Sequence, residues 1–283
     1  MMAVRPPEAS VPMFDAQQIK RTSSFSPTVP AIYVDQVQTV EPTDKPHLVL
    51  LHGGSHSGAC YLHTPDGRPG WAQFFARCGY PVSVVDWPGT GRSGAVPFTR
   101  LTGDTICQLL AAFFNRLTKP IVLLTHSMSG PYGWRLLETC GDHISALVAI
   151  APGPPGNIQP VAEIVERDET TLVVQRREAA TRVPRNTAWH PDEAFVSEKL
   201  IGRSMRFPHA ARPAYAASLQ PLPPRLMHER LNINSSQLQI RDTDSFDAKP
   251  VLIVTGTSDR DHSRADDGKI SDWLGENGAA VDY

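Results

Sequence analysis

The sequence predicts an α/β protein with a mainly parallel, doubly wound sheet and a helical cap inserted between two of its strands. Three observations predict this. Short continuous apolar runs alternate with helix-period segments between residues 47 and 150, and one more apolar run follows at Lys249. Between the two parts lies a long stretch, Pro152 to Asp247, rich in Pro and Arg and poor in strand signal. Strands alternating with helices require crossover connections, and these lead to a parallel sheet covered on both faces.

The elements follow in order. Residues 1–30 read as an N-terminal arm laid loosely over the surface, because they are polar and Pro-rich and carry no apolar core of a signal peptide. Ala31 to Val40 alternates as a strand or hairpin arm near the sheet edge. His47-Leu-Val-Leu-Leu-His52 is a continuous apolar run closing in Gly53-Gly54, as expected of a strand buried on both faces. Trp71, Phe74, Phe75 and Cys78 recur at helical spacing, with Gly79 as the stop. Pro81 to Trp87 is a strand, and Ile106, Leu109, Leu110, Phe113 and Leu117 mark one face of a helix ending before Pro120. Pro120 to Thr125 is a strand, Ser129 to Cys140 a helix, and Ile144 to Ile150 a strand. Lys249 to Thr255 is another strand, followed by a short helix around Lys269 to Leu274. The organisation expected is therefore an arm over 1–30, a core over 31–151 and 248–283, and a helical cap over 152–247, with short helical patterns such as Asp192 to Met205. The cap falls over the C-terminal edge of the sheet, where open α/β sheets bind ligands.

Composition narrows the function classes. Lys plus Arg number 27 against 29 acids, a net charge of −2, which gives no electrostatic reason to expect nucleic acid or an anionic membrane as partner. No stretch approaches the roughly 18 apolar residues of a spanning helix. The four cysteines are scattered without a CxxC pair, and Cys78 and Cys107 fall on predicted apolar faces. Free buried thiols and a cytoplasmic location are the expectation.

One segment carries chemistry. Leu123-Leu-Thr-His-Ser127-Met-Ser-Gly130 runs from an apolar strand through a sharp turn into a helix, with small residues two positions either side of Ser127. Such a nucleophile elbow pushes a serine hydroxyl clear of the sheet and offers the Met128 N–H to a developing oxyanion. Thr125 and Ser129 stand where glycines are commonest, and the competing reading is a polar strand-to-helix junction with Ser129 as its cap. His52-Gly53-Gly54-Ser55 after the first strong strand resembles the oxyanion loop of lipases and esterases, with the Gly54 N–H as preferred second donor and Ser55 next.

With both motifs in view, the chain from about Ala31 onward resembles the α/β-hydrolase superfamily. Thr64-Pro-Asp-Gly-Arg-Pro-Gly-Trp71, then Val85-Asp-Trp-Pro-Gly-Thr-Gly-Arg-Ser93, is similar to an esterase-like subgroup of bacteria and filamentous fungi. Fungal relatives of that subgroup often sit in secondary-metabolite pathways. The resemblance implies a small-molecule substrate, cleavage of an ester, lactone or C–C bond, and no cofactor. It also implies a base histidine after the last strand, yet Ala279 to Tyr283 reads only as the start of that strand. Three expectations follow: a shortened chain, a protein that binds or rearranges a metabolite without hydrolysis, or a substitute histidine. His262, His126 and His56 are the candidates, with His262 first because it lies three residues past Asp259. The subgroup favours a Glu after the strand that follows the elbow helix, where this chain has Ala151. Asp259, in Gly256-Thr-Ser-Asp259, holds the superfamily's commonest acid position and is the fallback, against an Asx turn closing the strand.

Two other patterns are set aside. Gly89-Thr-Gly-Arg-Ser-Gly94 fits G-x-G-x-x-G but lacks a directly following helix and a later acid. His52, His56, Cys60 and His63 are close in sequence but match no strong zinc spacing.

Overall fold

The apolar runs come together in one eight-stranded sheet. The computed structural model describes residues 18–176, 179–202, 204–259 and 262–283. The first six strands are β1 (Ile19–Phe25), β2 (Tyr33–Thr39), β3 (His47–Leu51), β4 (Val82–Val85), β5 (Ile121–His126) and β6 (Ile144–Ile150). A separate antiparallel sheet holds β7 (Glu163–Arg167), β8 (Thr171–Arg176) and β9 (Ala179–Pro184). The chain then returns to the main sheet with β10 (Pro250–Val254) and β11 (Ala280–Asp282). The main sheet runs β1-β2-β4-β3-β5-β6-β10-β11, antiparallel at β1/β2 and β2/β4 and parallel at every other pairing.

The helices are α1 (Ala59–Leu62), α2 (Trp71–Arg77), α3 (Gly103–Phe114), α4 (Gly130–Cys140), α5 (Glu193–Phe195), α6 (Arg212–Ser218), α7 (Pro224–Arg230) and α8 (Arg264–Glu276). One face of the sheet packs Val49, Leu51, Leu123 and Leu147 against Ile106, Trp134, Ile270 and Leu274 of α3, α4 and α8. The other packs Leu48, Leu50, Val82, Val84 and Leu124 against Tyr61, Ala72 and Ala76. Strands covered on both sides need apolar residues at every position, which is why the sequence of β3 does not alternate. No helix among the described residues is long and apolar enough to cross a membrane.

Three features depart from the sequence expectation. Of the arm expected over 1–30, positions 1–17 lie outside the described residues, and Ile19–Phe25 is the edge strand β1 rather than loose chain. Its polar sequence is held from the β2 side, where the buried Asp35 accepts hydrogen bonds from Arg21 Nε (3.0 Å) and Ser23 Oγ (2.6 Å). In α2 the expected face is rotated: Trp71 and Phe74 are about half exposed, whereas Ala72 and Ala76 are fully buried. Two alanines four residues apart make a flat stripe on which the helix can lie close to the sheet, displacing the larger rings to its rim. The segment expected as a helical cap carries the β7–β9 sheet as well as α5–α7. Leu172, Val174 and Val183 point to the buried side of that sheet, and its polar outer face hides the period-two signal.

The Asp86-to-Ser93 run is a structural turn. Asp86 accepts from the Gly58 N–H (2.7 Å), the Arg92 N–H (2.8 Å) and Arg92 Nε (2.9 Å), and Arg92 also pairs with Asp35 at 2.9 Å. Burial raises the Asp35 carboxyl, but the Ser23 hydroxyl and the Arg21 and Arg92 guanidinium groups outweigh it and hold the group below the ordinary carboxylate range. This pairing explains the glycine at 91, where a side chain would collide with Asp86. Without Asp86 the buried Gly58 N–H loses its acceptor, whereas Arg92 keeps Asp35. Asp86→Ala is therefore expected to cost about 1–3 kcal/mol, read as a lower urea midpoint at unchanged slope.

Candidate active site

The site begins where β5 meets α4. Ser127 follows the strand with φ at +52°, a left-handed conformation that costs a non-glycine residue about 1–3 kcal/mol. Its neighbours hold it there. Ser129 Oγ accepts from the His126 N–H at 2.8 Å and lies 3.1 and 3.0 Å from the carbonyls of Leu51 and His126. The Ser127 carbonyl accepts from the Gly153 N–H at 2.8 Å. Ser129 thus closes the turn with its hydroxyl and makes no side-chain cap to α4. Thr125, where a glycine would be expected, is accommodated from the helix side: a Cβ at Gly133 would lie 2.8 Å from Thr125 Cγ2. Glycine has moved along the helix rather than vanished.

The loop after β3 comes up beside this turn. A Cβ on Gly53 would lie 2.8 Å from His126 Nδ1, and one on Gly54 would lie 2.8 Å from Met128 Sδ. Ser127, Met128, Gly54, Asp259 and His262 all line one cavity of about 160 Å³. The inserted segment closes its far wall with Trp189, Phe195, Tyr215 and Leu222. Ser127 Oγ lies 3.3 Å from His262 Nε2. Asp259 Oδ1 accepts from the backbone N–H of His262 at 3.0 Å, so this carboxylate holds the main chain at the histidine.

The other histidines have different duties. His56 Nδ1 lies 2.7 Å from the Gly54 carbonyl and its Nε2 lies 2.9 Å from the Tyr215 hydroxyl, so both nitrogens are engaged away from Ser127. Burial lowers the pKa of His56 against the pull of the Gly54 bond. Burial takes His126 down to about 3 and His52 to about 4, so both are neutral near pH 7. His52 stacks on Trp87, with ring centroids 4.3 Å apart.

A narrow side lobe shares Ser127, Met128 and His262 with the main cavity and adds Tyr132, Glu229 and Gln237. Glu229 is buried and accepts from the Gly103 N–H at 2.8 Å, at the start of α3. Burial pushes its carboxyl up to about 7, against the Gly103 bond and the Arg225 charge. No spacing or motif marks Glu229 or Gln237 of the inserted segment, because they reach this lobe only through the fold.

The packing around Glu229 and Gly133 has measurable consequences. In the folded chain Glu229 stays protonated up to about pH 7, whereas unfolded it ionises near its ordinary value of 4.5. Its stabilising contribution is thus complete below pH 4.5 and lost as pH rises through about 7. Glu229→Gln, which keeps an acceptor for Gly103, should melt close to wild type at pH 5 and higher than wild type at pH 8. At the elbow, Gly133→Ala should cost about 1–3 kcal/mol by overpacking. The cost should shrink in a Thr125→Ser background, where Cγ2 is gone, and denaturant titrations of the four proteins would measure that coupling.

The model of the alpha/beta hydrolase family matches residues 48–281. A probable secreted lipase of a fungal species is 26% identical over 182 aligned residues, covering 44% of this chain and 50% of the lipase. A 2-hydroxy-6-oxononadienedioate/2-hydroxy-6-oxononatrienedioate hydrolase of Burkholderia vietnamiensis is 30% identical over 119 residues, covering 40% of this chain and 38% of the hydrolase. The chain spans half or less of the length of these curated relatives. Among solved structures, the thioesterase domain of the curacin biosynthetic pathway superposes with a TM-score of 0.57 at 15% identity, over 93% of this chain and 92% of that one. Strand order, elbow and family match agree, and this chain belongs to the alpha/beta hydrolase family.

Proposed function

We propose that the chain is a serine-dependent hydrolase that cleaves an ester, lactone or C–C bond in a small hydrophobic or polyketide-like metabolite. The observation that carries this reading is Ser127, held at a left-handed φ with its Oγ 3.3 Å from His262 Nε2 inside a cavity. In this reading His262 takes the Ser127 proton as Oγ attacks the substrate carbonyl carbon. The N–H groups of Met128 and Gly54 receive the negative charge that forms on the carbonyl oxygen. Collapse of that intermediate expels the leaving group, which takes the proton from His262, and water then releases the acyl group by the same steps in reverse order. Asp259 holds the backbone N–H of His262. The aromatic wall of Trp189, Phe195 and Tyr215 supports an apolar substrate, and its place on the inserted segment makes that segment the specificity element. The bond types are those implied by the resembled esterase-like subgroup, and a lipase and a 2-hydroxy-6-oxononadienedioate/2-hydroxy-6-oxononatrienedioate hydrolase among the relatives support a hydrolytic reading.

The competing reading is a protein that binds or rearranges a metabolite without hydrolysis, favoured by Ala151 standing where the resembling subgroup has its Glu. A fluorophosphonate probe separates the two. Labelling of the wild type that is abolished in Ser127→Ala, with His262→Ala lowering turnover by on the order of 10⁶, is the expected result. A folded wild type that takes no label, or label that survives in Ser127→Ala, overturns the hydrolase reading.

A further inference from the structure

We propose that Tyr215 and His56 are positioning residues that make the seating of the inserted segment and the assembly of the oxyanion loop one event. The catalytic consequence rests on the serine-hydrolase reading, whereas the tie itself is a matter of hydrogen bonds. A peptide group is planar and trans, so its carbonyl and its N–H point in opposite directions, and holding the one aims the other. Three successive carbonyls of the loop are held. The Gly53 carbonyl faces His52 Nδ1 at 2.9 Å, which fixes the peptide bearing the Gly54 N–H. The Gly54 carbonyl faces His56 Nδ1 at 2.7 Å, which fixes the peptide bearing the Ser55 N–H. The Ser55 carbonyl accepts from the Gln220 N–H at 2.7 Å.

The chemistry of imidazole assigns the protons. A carbonyl only accepts, so each ring donates from Nδ1 and must accept at Nε2. His52 Nε2 accepts from the Trp87 N–H at 3.3 Å, and so its ring is anchored in the core. His56 Nε2 accepts from the Tyr215 hydroxyl at 2.9 Å, and so its ring is anchored on α6 of the inserted segment. The first carbonyl is therefore held by the core alone. The next two are held from the inserted segment, through Tyr215–His56 and through Gln220. Ser55 sits at φ +58°, a conformation that a non-glycine residue keeps only while its surroundings enforce it. Leu222 closes over the same loop, 3.4 Å from where a Gly54 Cβ would stand. Lifting the inserted segment releases both ties, so the Ser55 N–H loses its aim and the Gly54 N–H beside Ser127 is left on its core tie alone.

The test compares Tyr215→Phe, His56→Asn and the double variant. In His56→Asn the shorter amide keeps a donor for the Gly54 carbonyl but cannot reach Tyr215. Each single variant is expected to lower kcat about 10-fold with KM changed less than about 2-fold, as for a contact made in the transition state. The affinity for an alkylboronic acid should fall by the same factor. The double variant should be no worse than His56→Asn alone, because the two residues act through one link. Hydrogen–deuterium exchange supplies a readout that needs no activity: exchange across residues 52–58 should quicken in all three variants and stay unchanged in β5 and β6. Unaltered exchange in the loop, additive losses, or an effect confined to KM would overturn the proposal. If the wild type is inert toward the fluorophosphonate probe, the hydrolase reading fails and exchange alone decides the tie.

Discussion

The backbone of Ser127 sets the terms for the rest of the site. At φ +52° it reverses the chain between β5 and α4 within one residue, and a serine does this only where neighbours over-determine it. The enforcing contacts come from several parts of the chain. Ser129 ties the turn to the end of β3, Gly153 beyond β6 bonds the Ser127 carbonyl, and Gly133 makes room for Thr125. A Cβ at Gly130 would lie 2.7 Å from the backbone of Gly153, so the first turn of the helix is also packed backbone to backbone. The turn cannot relax without disturbing three strands, so strain at one residue is stable in the assembled sheet.

The same economy governs the division between core and insertion. The core presents Ser127, the loop of residues 52–55, Asp259 and His262 beyond the C-terminal ends of β5, β3 and β10, as open parallel sheets do. It offers a floor with almost no apolar wall. The inserted segment supplies that wall; it has its own small sheet, and its buried Leu172, Val174, Val183, Leu222 and Leu226 join the core of the main sheet in one continuous cluster. Precision is needed in the floor and variety in the wall, and the two lie on different parts of the chain. They meet at the Tyr215–His56 bond, at Gln220–Ser55 and at Glu229–Gly103, the first two of them on the loop beside Ser127.

The fold is legible in the sequence where burial forces a pattern. Strands covered on both faces are apolar without a break, and β3, β4, β5, β6 and β10 fall close to where those runs stand. Ser127 is legible because an elbow demands small neighbours in a short window. Patterns fail where burial is decided by distant parts. The rotated face of α2 depends on how closely two alanines approach the sheet, and β1 depends on Asp35 waiting across the strand pair. The β7–β9 sheet alternates in runs of six or fewer residues under a Pro- and Arg-rich composition, too short for the period to stand out. Trp189, Tyr215 and Glu229 are illegible for a simpler reason. Their meaning comes from what they face, and nothing local encodes it.

The histidines show how environment sorts identical side chains into unlike roles. Four of them line or adjoin the cavity floor: His52, His56, His126 and His262. Burial drives His126 and His52 far below the range in which imidazole exchanges protons near neutrality, and both are packed against fixed neighbours, one beside Gly53 and one on Trp87. His56 uses its two nitrogens on Gly54 and Tyr215. A base for Ser127 must sit within hydrogen-bond reach and be able to take a proton as charge develops. His52 and His56 bond the loop and His126 packs beside Gly53, so among the four His262, 3.3 Å from Ser127 Oγ, meets the geometric condition. The imidazoles packed around the loop and the one that faces the serine thus differ in their surroundings rather than in their chemistry.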